Sequence, residues 1–165
     1  MKVIVRALEE ATNEYERELI HNIKVSGYQV TAVGGDESSA PFAYSIGIFH
    51  SYRRPDLLVV GLGVKACSEL VSLYGRRIRA GDGQFETGYY YSDFLTGFDV
   101  FMLEANEHAK RELTLSCKWF YRGIEFPLLQ CVWPSIKGFW PWDQDAWTDY
   151  KKQQPLYGIP PTLRN

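Results

Sequence analysis

Residues 41 to 62 constrain the fold more than any other stretch of the chain. Phe42, Tyr44, Ile46 and Ile48 alternate with Ala43, Ser45, Gly47 and Phe49. That period of two marks a strand over 42–49 with one face of large residues. The small residues on the other face admit close approach of a helix, a strand or a ligand, and Gly47 fits such an approach or a bulge. Ser51 to Pro55 breaks the pattern as a polar turn, and Pro55 has no N–H for a ladder. Leu57, Leu58, Val59 and Val60 then form a continuous apolar run, which suits a strand buried on both faces.

The remaining elements arrange themselves around this pair. Leu8, Ala11, Tyr15, Leu19 and Ile23 recur every three or four residues and predict an amphipathic helix over 7–25, stopped by Gly27. Residues 28–33 read as a strand, 64–74 as a helix, 84–97 as a loop or edge ribbon, and 98–102 as a strand. Residues 105–121 read as a helix and 126–133 as a buried strand. The expected architecture is α+β: a mainly antiparallel sheet or partial barrel with about three packed helices and an irregular Trp/Pro-rich C-terminal tail. A length of 165 residues sets the natural count at one domain, 1–165. It divides into the N-terminal helix, a sheet core over 28–133 with two helices, and a wrapping tail over 134–165.

The net charge of −2 supplies no global basic field, which argues against nucleic acid and anionic membranes as partners. No apolar run reaches the roughly 18–20 residues that span a bilayer. The start, Met1 to Arg6, is too short for a signal peptide. Three cysteines at 67, 117 and 131 follow no ligand spacing and read as reduced thiols of a cytoplasmic protein, with no metal site.

The central stretch and a tail reading Leu129-Gln-Cys-Val-Trp-Pro134, Gly138-Phe-Trp-Pro-Trp142 and Gln154-Pro155 resemble a bacterial family, the domain-of-unknown-function family numbered 4262. The resemblance runs from about Gly27 to Pro155 and rests on several motifs in order. Tyr28 stands where the family commonly has Trp, Ser45 where it has Thr, Asp56 where it has Glu, and Ser135 where an Asp follows Trp-Pro. The resemblance implies a family neighbourhood and carries no activity.

Candidate chemistry is sparse. Gly61-Leu-Gly63-Val-Lys-Ala66 follows a strand and opens a helix, as a dinucleotide fingerprint does, but the following segment does not continue as a helix and parallel strand. A phosphate could dock at that helix start with Lys65 beside it. A split-barrel flavin-binding layout is a second possibility, with Arg53, Arg54 and Lys65 toward a phosphate. His50 borders the Arg53-Arg54 turn. Asp56 reads as a structural cap or a polar site residue. Ser45 reads as a small polar residue on a packed face. Trp133, Trp140 and Trp142 read either as a tail clamped to the core or as an aromatic-walled groove edged by Gln130, Asp143 and Gln154. Two functions follow. The first is a small cytoplasmic binding protein without its own catalysis, with an immunity or accessory domain among its forms, that recognises a protein partner. The alternative is a flavin- or nucleotide-binding enzyme with a pocket among Tyr44, His50, Arg53 and the Trp tail.

Overall fold

The computed structural model describes residues 4–163, so positions 1–3 and 164–165 of the expected span lie outside the described residues. Six strands form one open sheet in the order β1-β2-β3-β6-β5-β4. They are β1 (Gln29–Val33), β2 (Phe42–Ile46), β3 (Asp56–Val60), β4 (Tyr90–Leu95), β5 (Phe98–Glu104) and β6 (Leu128–Val132). All neighbouring pairs are antiparallel except β3 with β6. The α+β expectation holds, and of its two forms the structure takes the open sheet rather than the partial barrel, with β1 and β4 at the edges.

The continuous apolar run at 57–60 lies where its composition requires. β3 is a central strand, and all five of its residues are buried. On one face of the sheet Ala43, Leu57, Val59, Val100, Met102, Leu129 and Cys131 pack beneath α3 (Val64–Arg79). On the other, Tyr44, Ile46, Leu58, Val60 and Leu128 pack against α1 (Glu14–Ser26), α4 (Glu107–Glu112) and α5 (Leu115–Phe120). Each large buried aliphatic side chain on these faces contributes about 1.5–3 kcal/mol.

Several boundaries differ from the periodicity, each for a local reason. The strand read over 42–49 ends at Ile46, because Gly47 takes φ 103 and turns the chain into the short helix α2 (Ile48–Tyr52). The alternation survives through Ile48 because that side chain still enters the core from the first helical turn. The polar turn at 51–55 is therefore the end of a helix plus its exit. The helix read over 7–25 splits into a 3₁₀ turn at Leu8–Glu10 and α1, whose N-cap Asn13 accepts from Glu16 N at 2.8 Å. The helix read over 105–121 splits between α4 and α5, with Asn106 capping the first. The helix read over 64–74 runs on to Arg79, so Arg76, Arg77 and Arg79 complement its C-terminal dipole. The ribbon at 84–97 contains β4, and the tail contains the helix α6 (Thr148–Gln153).

The tail is bound to the sheet by two buried glutamines. Gln130 in β6 donates to Pro155 O at 2.9 Å and accepts from Tyr157 N at 2.8 Å. Gln154 accepts from Trp133 N at 3.0 Å and donates to Trp133 O at 2.7 Å, while Tyr150 Oη donates to the same carbonyl at 2.6 Å. Trp133 Nε1 donates to Val60 O at 2.8 Å, which ties the start of the tail to the central strand. Gly61 has φ 100, and a β-carbon there would meet the backbone of Gln153. Replacing Gln154 by Leu strands Trp133 N in the interior and leaves the Trp133 carbonyl with Tyr150 Oη alone. Urea denaturation of Gln154→Leu should show a loss of about 2–4 kcal/mol, larger than the loss for an exposed glutamine such as Gln144→Leu.

Candidate functional site: a carboxylate corner and an aromatic ridge

The β2–α2–β3 corner is built around Asp56, which has no exposed surface. Its carboxylate accepts from Ser45 Oγ at 2.7 Å, Ile48 N at 3.0 Å, Phe49 N at 3.4 Å and Tyr121 Oη at 2.6 Å. Ser45 Oγ also accepts from Leu57 N, and Tyr121 Oη accepts from Gly47 N and His50 N. The carboxylate thus caps α2 from below, and Tyr121 from α5's end joins the opposite layer to it. Burial pushes the Asp56 carboxyl up to about 6, while the four donors pull it back toward the charged form. Every strong acceptor site is occupied, so the geometry is that of a cap. Of the two sequence readings of Asp56, this is the first.

The corner presents a charged outer surface. Arg53 takes φ 57 at the end of α2, and its guanidinium lies 5.8 Å from the Phe49 ring centroid. Arg53 and Arg54 line a groove of about 340 Å³ with Phe85, Glu86, Glu104 and Pro127. His50 faces a different cavity of about 420 Å³, with Arg6, Lys24, Ile20 and Phe120. Its ring meets Phe120 edge-on, and burial with Arg53 nearby holds its pKa below the usual histidine value.

The structure does not gather the residues of the pocket expected among Tyr44, His50, Arg53 and the Trp tail. Tyr44 is buried on the α5 face, where its hydroxyl accepts from Ser116 N at 3.1 Å. Neither the groove lined by Arg53 nor the cavity lined by His50 includes Tyr44, Trp133, Trp140 or Trp142. Lys65 sits on the exposed start of α3, 3.9 Å from Glu69, along a shallow depression with Ser68 and Arg76. Gly61 approaches the tail backbone rather than a ligand, and after α3 the chain crosses to the far edge of the sheet instead of returning as a parallel neighbour of β3. The dinucleotide layout is therefore absent from this joint. The three cysteines are buried and unpaired. Burial raises all three thiols, Cys67 to about 11.

The Trp-rich tail divides into two parts. Trp133 is a buried clamp, and Gln130 and Gln154, expected as polar edges of a groove, are interior ties with their polar atoms engaged. Trp140 and Trp142 do something else. Their rings stack on each other at 5.4 Å and 3°, and both lie against Phe101 of β5. Tyr90 of β4 meets Trp140 edge-on at 5.2 Å. Asp143 accepts from Trp140 N at 2.7 Å and fixes the turn. The result is a half-buried ridge of rings beside an edge strand, ending in Tyr90, which is 51% exposed. Sequence reasoning found the tryptophans. It also noted the Tyr89–Tyr91 cluster, as a partner surface with the Arg76–Arg79 run, but joined neither Tyr90 nor Phe101 to the tryptophans, because no local pattern links residues so far apart.

The fold and the site together define an α+β open-sheet domain with a capped acidic corner and an aromatic ridge. The chain belongs to the family described as domain of unknown function (DUF4262), whose model matches residues 22–147. No curated protein and no solved structure matches it. Ser135 Oγ accepts from Phe139 N at 3.1 Å and closes the turn after Trp133-Pro134.

The corner has a measurable pH signature. The Asp56 carboxyl is raised in the folded state, so the native protein binds a proton more tightly than the unfolded chain does. Its contribution to stability is therefore present below pH 4 and lost as pH rises to about 6. The size of that loss is about 3 kcal/mol. Urea midpoints between pH 4 and 6.5 should fall with rising pH in the wild type relative to Asp56→Asn, which lacks this titration. Parallel profiles would show that the carboxyl is not raised.

Proposed function

We propose that this protein is a non-catalytic protein-binding domain of the cytoplasm, and that its partner docks on the ridge formed by Tyr90, Trp140 and Trp142. The observation that carries the reading is the ridge itself: large rings held rigidly by Phe101, by each other and by the Asp143 turn, with the exposed Tyr90 at the rim. Rigid aromatic side chains lose little conformational entropy when a partner covers them, and they dominate protein interfaces. The polar groups singled out for chemistry support the same reading. Asp56, Ser45 and Tyr121 spend their hydrogen bonds on one another and on the backbone. The thiols are buried, and their raised pKa disfavours the nucleophilic thiolate.

The test is in-cell cross-linking followed by capture of the wild type, Tyr90→Ala, Trp140→Ala and an Arg53→Ala/Arg54→Ala pair. A partner held by the wild type and by the arginine pair, and lost at least about tenfold from both ridge variants, is expected; loss of one hot-spot ring costs 2 kcal/mol or more. Capture that is indifferent to the ridge overturns the reading. So does a stoichiometric flavin or nucleotide released from the denatured protein.

A further inference from the structure

His50 and the N-terminal segment enclose a cleft to which the aromatic ridge contributes nothing. The apolar spacing of Leu8, Ala11, Tyr15, Leu19 and Ile23 runs on as if for one helix, yet α1 begins only after Asn13. On a continuous helix Leu8 and Ile23 would stand about 22 Å apart along the axis. Instead they line the same cleft, of about 420 Å³, so residues 5–9 fold back along α1. Arg6 N donates to Phe120 O at 2.9 Å, Arg6 Nε donates to Trp119 O at 3.0 Å, and Glu10 pairs with Arg122. These contacts pin the segment to the end of α5 and make it one wall of the cleft. α1 supplies a second wall through Ile20, Ile23 and Lys24, and α2 a third through His50 and Ser51.

The walls divide by chemistry. Leu8, Ile20, Ile23 and Phe120 are apolar. Ile20, Ile23 and Phe120 are buried, whereas Leu8 is 47% exposed, so apolar surface stays open to water at the mouth. Arg6, Lys24 and His50 set three basic groups against one carboxylate, Glu9. Among the described residues none of these four enters an ion pair. Arg53 stands close enough to His50 to lower its pKa, and so adds positive charge beside the cleft.

We infer that this cleft binds a small organic anion: an anionic head on a compact apolar body, such as a short-chain or aromatic carboxylate. The head lies among Arg6, Lys24 and His50, and the body lies on Ile20, Ile23 and Phe120. The volume falls within the range of about 300–1,000 Å³ that small-molecule sites occupy. Each part of the ligand answers a part of the wall. An inorganic anion would reach the basic groups and leave the apolar floor wet. A neutral apolar molecule would cover the floor and strip water from the basic groups without supplying a counter-charge. A cation would meet like charge at the rim. The pinned segment fixes the wall before the ligand arrives, which lowers the entropy lost on binding.

The test is isothermal titration calorimetry of the intact protein at neutral pH with three probes: octanoate, octylammonium and acetate. Octanoate should bind at one site per chain. Octylammonium, with the wrong charge, and acetate, without the apolar body, should each bind at least about tenfold more weakly. Lys24→Ala and His50→Gln should each weaken octanoate about threefold or more. Both side chains are exposed, so neither substitution threatens the fold. Lys65→Ala, at an exposed lysine on α3, should leave the affinity unchanged. The imidazole proton signal of His50, assigned by its disappearance in His50→Gln, should shift with octanoate and stay in place with acetate. Equal affinity for octanoate and octylammonium overturns the inference. So does octanoate binding that ignores both substitutions, or no octanoate binding at all.

Discussion

A carboxylate with no exposed surface at the head of a central strand must be met by donors, and the donors that meet Asp56 organise the middle of this protein. Ser45 comes from β2, Ile48 and Phe49 from α2, and Tyr121 from the end of α5. One side chain thereby fixes the register of a hairpin, the start of a helix and the docking of the opposite layer. An unmet buried carboxylate would cost several kcal/mol, so loss of any one of these donors would be felt at all three. The outward direction of His50, Arg53 and Arg54 is a consequence of this cap.

Two glutamines perform the same service for the tail. Gln130 and Gln154 each satisfy one backbone donor and one backbone acceptor, and so let an irregular segment pass over the sheet with its backbone groups paired. Only with Trp133 fixed and the tail so held can Trp140 and Trp142 stand on Phe101 in a defined pose. The ridge is therefore the product of interior polar contacts.

Much of the architecture was legible because its signals are local. The apolar run at 57–60 announced a central strand, and the helical spacing at 64–74 announced α3. Boundaries were less legible where polar caps override periodicity. Asn13 and Asn106 end or start helices inside stretches whose apolar spacing runs straight on, and Gly47 turns a chain whose alternation continues for two more residues. The candidate site was less legible still. Gln130 and Gln154 look from sequence like available polar groups. Tyr90 and Phe101 look like ordinary strand residues.

The sequence by itself determined the α+β class, the two-sided burial of β3, the family and the abundance of tryptophan in the tail, because periodicity, composition and motif order are properties of neighbouring residues. Tertiary structure alone decided that β6 inserts beside β3 in parallel, that Asp56 is a cap, that two glutamines are interior ties, and that Tyr90, Trp140 and Trp142 form one surface. The physical reason is separation along the chain. Asp56 and Tyr121, or Tyr90 and Trp140, are joined by hydrogen bonds and ring contacts across fifty residues or more. No local pattern records which distant partner will satisfy a buried carboxylate or cover an aromatic ring.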